Sequence, residues 1–153
     1  MSVELEALGR AAKQLQYRHH REFEVRLATV GTTLAQWDAL RAIERLPGAT
    51  AHALAVATFQ SDQAFGALAN RLVAQRLVTR RPGHGRRIEH HLTPEGERTL
   101  EAGYPLADEV LRASFAELSE EDRATLLDLL LRTLGDDLRP LAPRPVPASP
   151  ATG

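Results

Sequence analysis

Between Thr50 and Pro94, helix starts and turns follow one another so closely that only short elements fit, and their order restricts the fold more than any other feature. Thr50 is placed to cap a short helix through about Ala57 with Leu54 inward, because an N-cap oxygen accepts a backbone N–H that the first turn leaves unbonded. After a break at Thr58 to Gln60, Ser61 caps a second helix. Asp62 in its first turn suits the positive end of the helix dipole, and Phe65, Leu68 and Leu72 form its buried stripe. The runs Leu77 to Arg81 and Ile88 to Leu92 flank Pro82-Gly83-His84-Gly85 and read as a β-hairpin. Thr93-Pro94 starts the next helix, since proline at the first helical position lacks a donor that the helix could not use.

Longer helices surround this middle. Apolar residues at Leu5, Leu8, Ala12, Leu15, Phe23 and Leu27 recur with the helical period and predict a first helix from Val3 to about Val30, stopped by Gly31. Thr33 with Gln36 has the spacing of a capping box and opens a second helix with Leu34, Trp37, Leu40 and Ile43 inward, ended by Pro47-Gly48. A fifth helix is expected from Pro94 toward Leu118, kinked or interrupted at Gly103-Tyr104-Pro105 because proline cannot donate to the preceding turn. Ser119 with Asp122 resembles another cap. The sixth helix carries Leu126, Leu127, Leu129, Leu130, Leu131, Leu134 and Leu138, a surface too wide for one packing partner. From Pro140 onward prolines crowd the chain, and a disordered tail is expected. The expected organisation is an N-terminal dimerisation helix (1–30), a lobe (31–93), C-terminal dimerisation helices (94–139) and the tail (140–153).

The chain has 153 residues, enough for one domain with a core, and its 43% hydrophobic and 25% charged residues are ordinary for a globular protein. Cysteine is absent, which excludes disulfides, thiolate metal sites and thiol redox sensing. Glu4 and Glu6 stand where a signal peptide needs positive charge, and no apolar run reaches about 18 residues, so neither membrane insertion nor export is expected and the chain reads as cytoplasmic. The formal net charge of -1 argues against bulk attraction to nucleic acid. Its distribution differs: Arg71, Arg76, Arg80, Arg81, Arg86 and Arg87 follow one another with no acidic residue between them.

Two short helices and a hairpin with arginines at its tip describe a helix-turn-helix with a wing. An α-helix fits the major groove of DNA, where each base pair presents its own pattern of donors and acceptors. With Phe65, Leu68 and Leu72 inward, the second short helix turns Gln63, Gly66, Ala67, Asn70 and Arg71 outward, with Ser61 at its start. Gln63 and Asn70 suit adenine edges, Arg71 reaches guanine or phosphate, and Gly66 with Ala67 lets the backbone approach closely. Arg86 and Arg87 are candidates for the minor groove, and Arg80 and Arg81 for phosphate. The plain alternative is that the arginines are a solvated face.

Thr33-Leu34-Ala35-Gln36-Trp37, then Leu54-Ala55, then Arg71-Leu72-Val73-Ala74-Gln75-Arg76-Leu77-Val78, then Leu92-Thr93-Pro94-Glu95-Gly96 resemble, in order and spacing, the MarR family of multiple-antibiotic-resistance regulators. The resemblance spans about residues 3 to 139 and rests on the ordered set. It implies a mainly α fold with a small β-hairpin wing, a winged helix-turn-helix lobe, and a homodimer made by the first and last two helices. It also implies a ligand pocket between the two regions. Two departures stand out. Gly85-Arg86 replaces the usual Asp-Arg of the wing, which removes the carboxylate that orients the arginine and implies a looser wing. Arg76 follows the recognition helix where the family usually has Gly, which makes a left-handed cap less comfortable.

The expected partners are therefore double-stranded DNA, a second copy, and a small aromatic or phenolic effector, in a ligand-responsive repressor. Tyr17, His20, Trp37 and Arg41 are candidates for its pocket, with Trp37 as plain core the alternative. No cofactor is expected, and no metal: adjacent histidines in His19-His20 and His90-His91 point apart on a helix or strand. Phosphate loops, nucleophile elbows and metal-ligand motifs are not found, so an enzyme is not expected. A winged-helix protein–protein adaptor remains the alternative function.

Overall fold

The computed structural model describes residues 3–136 together with Leu141 and Arg144. Its elements run α1 (Leu5–Ala28), α2 (Leu34–Arg45), α3 (Ala51–Ala57), α4 (Asp62–Ala74), β1 (Val78–Pro82), β2 (Ile88–Leu92), α5 (Pro94–Ser114) and α6 (Glu120–Leu134). The expected mainly α fold with a small hairpin is what forms. Strands β1 and β2 pair antiparallel, Val78 opposite Leu92 and Pro82 opposite Ile88.

Local caps set most boundaries. Thr50 Oγ1 accepts from Ala53 N at 3.3 Å, Ser61 Oγ from Ala64 N at 3.1 Å and Thr93 Oγ1 from Gly96 N at 3.0 Å. Ser119 and Asp122 form a full capping box. At α2 the expected box is half made: Thr33 Oγ1 accepts from Gln36 N at 3.2 Å, but Gln36 Oε1 accepts from Thr32 Oγ1 at 3.4 Å. A distant residue supplies a further acceptor, since Leu34 N donates to Glu24 Oε1 of α1 at 3.0 Å.

The core lies where α2, α3, α4 and the wing root meet α5. Leu40, Leu54, Phe65, Leu72, Val78 and Leu100 are fully enclosed, and Leu27 is the buried residue of α1. Of the kink or interruption expected in α5, the interruption does not form: the helix runs on through Gly103-Tyr104-Pro105. Gly103 is there for space: a Cβ on it would lie 2.1 Å from Trp37 Nε1, an impossible approach. Trp37 closes over that gap and donates Nε1–H to Leu100 O at 3.0 Å. Gly96 plays the same part at the wing root, where a Cβ would meet Leu77 O at 2.1 Å.

Both short helices of the lobe end with a left-handed residue other than glycine. Phe59 has φ 57° and Arg76 φ 60°. In each, two backbone bonds close the end: Gln60 N to Ala55 O with Phe59 N to Val56 O, and Leu77 N to Leu72 O with Arg76 N to Val73 O. The discomfort expected at Arg76 is real, and Thr93 holds the turn by donating Oγ1–H to Arg76 O at 2.7 Å.

Helix α6 buries none of its residues; Leu127, Leu129, Leu130, Leu131 and Leu134 are all exposed. Leu138 and most of the 140–153 stretch lie outside the described residues. Leu141 of that stretch packs against the core, and Arg144 bonds Glu101.

Candidate nucleic-acid interface

Helix α4 faces two ways because its apolar residues recur every three to four positions. Phe65, Leu68, Ala69 and Leu72 are buried, which leaves Gln63, Ala67, Asn70 and Arg71 exposed along the opposite side. Gly66 is half-buried and a Cβ on it would meet nothing within 4 Å, so the groove side of the helix is open there. Ser61 is exposed and its Oγ is spent on the cap of α4.

The wing stands beside this face. Gly83 N donates to Arg87 O at 2.8 Å and Arg87 N to His84 O at 3.2 Å, which closes the turn, and Gly85 takes φ 64° within it. A glycine where the family usually has Asp thus serves a left-handed position. Arg81, Arg86 and Arg87 are exposed. Arg80 is engaged: Nη2 donates to Asn70 Oδ1 at 2.8 Å, and Nε lies a long 3.5 Å from His90 Nε2. Residues assigned to bases and to phosphate in the sequence are therefore joined to one another, and the join ties wing to helix.

His90 anchors the other side. It is buried, its backbone N–H donates to Ala49 O at 3.1 Å, and its Nδ1 lies 3.1 Å from the same oxygen. Burial pushes its pKa below the ordinary histidine value, so the ring stays neutral, donates from Nδ1 and presents the Nε2 lone pair to Arg80. Nothing in the sequence marked His90 for this; it follows from strand alternation, which turns His90 inward and leaves His91 to pair with Glu89 at 3.1 Å.

The four pocket candidates do not share one cavity. Trp37 and Arg41 line a cavity of about 350 Å³ with Phe23, Tyr104 and Leu111. Tyr17 lines a groove of about 460 Å³ between α1 and α5, with Arg21, Val25 and Val110. His20 lines neither. In the first cavity the Trp37 and Tyr104 rings meet edge to face at 5.3 Å, and the Arg41 guanidinium lies 5.5 Å from the Trp37 ring centre. Arg41 Nη2 donates to Asp38 at 2.7 Å, while its buried Nε has no partner among the described residues. Tyr104 donates to Glu44 Oε2 at 2.7 Å, and burial together with that bond pushes the phenol up to about 12. Among the described residues no group of three His, Cys, Asp or Glu side chains is placed to hold a metal ion, and no helix is long and apolar enough to cross a membrane.

A short helix, a closed turn, a second helix with its polar side outward, and an arginine-tipped hairpin together define a winged helix-turn-helix protein. Residues 30–88 match the model of the MarR family, the segment that holds these parts. That segment of the chain is thus similar to the MarR family, and the chain around it has the winged-helix fold. Solved structures share its fold over most of the chain. A mutant MarR from E. coli complexed with operator DNA is similar with a TM-score of 0.79 at 23% identity, over 84% of this chain and 94% of that one. Bordetella bronchiseptica BpsR, whose DNA binding is regulated by 6-hydroxynicotinic acid, is similar with a TM-score of 0.77 at 21% identity, over 84% and 99%. A probable transcriptional regulator from Pseudomonas aeruginosa is similar with a TM-score of 0.73 at 29% identity, over 82% and 95%. None of the curated proteins matches the chain in sequence.

Proposed function

We propose that this chain is a ligand-responsive transcriptional repressor that binds a two-fold DNA site as a homodimer. The observation that carries the reading is the bond from Arg80 of the wing to Asn70 of α4, which ties the exposed Gln63, Ala67, Asn70 and Arg71 of the helix to the hairpin that carries the exposed Arg81, Arg86 and Arg87. Helix α4 enters the major groove, the wing tip reaches the adjacent minor groove, and Ser61 and Gly66 let the helix start and its backbone lie close. Arg80 acts by holding Asn70 at its 2.8 Å bond, so Asn70 meets the bases in a fixed orientation. Residues 31–93 form the DNA-binding lobe in this reading, and residues 1–30 and 94–139 the dimerisation region.

The exposed leucines of α6 support the homodimer, because apolar surface of that extent on a chain of ordinary composition calls for a partner. The groove between α1 and α5, with Val25, Val110 and Ala113 in its wall, offers them a seat. Two copies related by a two-fold axis present their α4 helices to successive major grooves when these stand about 34 Å apart. An aromatic effector in the Trp37 cavity, with its acidic group toward the unpartnered Arg41 Nε, changes that spacing. It weakens DNA binding by as much free energy as it gains from the altered state.

The test is fluorescence anisotropy with the chain's own upstream DNA, at two salt concentrations and with unrelated competitor. Arg71→Glu and Arg86→Glu should each lower affinity at least about tenfold and flatten the salt dependence. Binding equal for every fragment and indifferent to both substitutions would refute the reading. It would favour the adaptor, for which exposed Val56 and Phe59 beside the α3–α4 turn provide apolar surface.

A further inference from the structure

The Trp37 cavity has a second end whose chemistry is opposite to that at Arg41. Tyr104 forms part of its wall, and Glu44 and Glu101 stand behind it on α2 and α5. A guanidinium is already seated there. Arg144 Nη1 donates to Glu101 Oε2 at 3.0 Å and Nη2 to Glu101 Oε1, a forked pairing. Its Nη2 also lies 3.4 Å from Glu44 Oε1, and the guanidinium carbon is 4.5 Å from the centre of the Tyr104 ring. Leu141, from the same stretch, lines the cavity beside it.

We propose that Glu44, Glu101 and Tyr104 form a binding site for a planar amidinium or guanidinium, and that the chain's own Arg144 occupies it as an internal ligand. Each part has a physical reason. A carboxylate takes a planar cation through two parallel bonds, and an aromatic face stabilises the same cation from the side. The phenol of Tyr104, neutral through the physiological range, donates to Glu44 and fixes where its charge points. Behind this end Phe23, Trp37 and Leu111 offer an apolar and aromatic wall to the body of the ligand, while Arg41, Arg45 and Asp108 also line the cavity, so the cationic group is directed to the Tyr104 end.

The seat is also exchangeable. The Glu101 side chain is 54% exposed and that of Arg144 38%, so the ion pair is screened by solvent and weak enough to be displaced. Arg144 itself lines the cavity, so its departure leaves the carboxylates of Glu44 and Glu101 unpaired beside the cavity wall. An internal ligand seated about nine-tenths of the time lowers the affinity of an outside one about tenfold, since only the vacant fraction is competent.

Benzamidine is the probe, titrated into the full chain with Trp37 fluorescence as readout and calorimetry as check; benzoate is the control of opposite charge. Arg144→Ala should bind benzamidine about tenfold more tightly than the unaltered chain, and adding Glu101→Gln should abolish the gain. Arg144→Lys, which keeps the charge but loses the fork, should fall between. Both sites are on the surface, and unchanged melting curves confirm the fold. Equal benzamidine affinity in the unaltered chain and Arg144→Ala would overturn the proposal, as would indifference to Glu101→Gln. Loss of benzoate binding in Arg144→Ala without a gain for benzamidine would assign Arg144 to an anion site, and also overturn it. None of these outcomes depends on DNA binding, so the site and the regulator reading stand or fall separately.

Discussion

Replacing Gly103 by Ala tests whether the closure of Trp37 on α5 holds the two helices together. In a helix interior, Gly→Ala ordinarily gains about 1 kcal/mol, because alanine loses less backbone freedom on folding. At Gly103 the new methyl carbon would fall 2.1 Å from Trp37 Nε1, 2.5 Å from Cδ1 and 2.8 Å from Cε2. Trp37 is only 4% exposed and can yield only by turning toward the cavity it lines, so overpacking costs about 1–3 kcal/mol. Its indole N–H leaves Leu100 O and stays buried without a partner, a further loss of about 1–3 kcal/mol. Setting the propensity gain against both, the net destabilisation is about 1–5 kcal/mol. The assay is urea unfolding followed by fluorescence, since Trp37 is the single tryptophan, at matched protein concentration because association adds to apparent stability. Gly9→Ala is the control: a Cβ there meets nothing within 4 Å, and α1 should gain about 1 kcal/mol. If Gly103→Ala stabilises as Gly9→Ala does, with unchanged Trp37 emission, the steric argument is refuted.

Arg76→Gly should stabilise the lobe by about 0.5–1 kcal/mol, as relief of a left-handed backbone worth about 1–2 kcal/mol exceeds the added entropy of glycine; thermal melting checks it. In the proposed homodimer, Leu130→Lys should raise the dissociation constant about a hundredfold by sedimentation, since a leucine buried there would be worth about 1.5 kcal/mol and a two-fold interface counts it twice. His90 and His19 both have their pKa lowered, first of all by burial, so the unfolded chain binds more protons than the folded one in mild acid. Their contribution to stability is full above about pH 6.5 and is lost as pH falls through the lowered folded values. Melting at pH 7.5 and 5.5 should show the loss, and His90→Gln should reduce it.

The elements were legible in the sequence because their signals are local. The oxygens of Thr50, Ser61, Thr93 and Ser119 each bond a backbone N–H three residues ahead, so a cap and its helix are written within one turn. The same holds for the outward side of α4, which follows from the spacing of Phe65, Leu68 and Leu72. Of the kink or interruption expected at Gly103-Tyr104-Pro105, the interruption does not form, for the complementary reason. A glycine and a proline read as local breaks, whereas Gly103 answers to a tryptophan 66 positions earlier in the chain.

By itself, then, the sequence determined the order, length and facing of the short elements, and with them the winged lobe, because those depend on contacts within a turn of helix or across a hairpin. The tertiary structure alone decided that Glu24 completes the start of α2, that Arg80 is tied to Asn70, that Tyr17 and Trp37 face different cavities, and that Arg144 sits against Tyr104. These join residues from different elements, ten or more positions apart. Their meeting is set by how helices pack, which no spacing within either segment records.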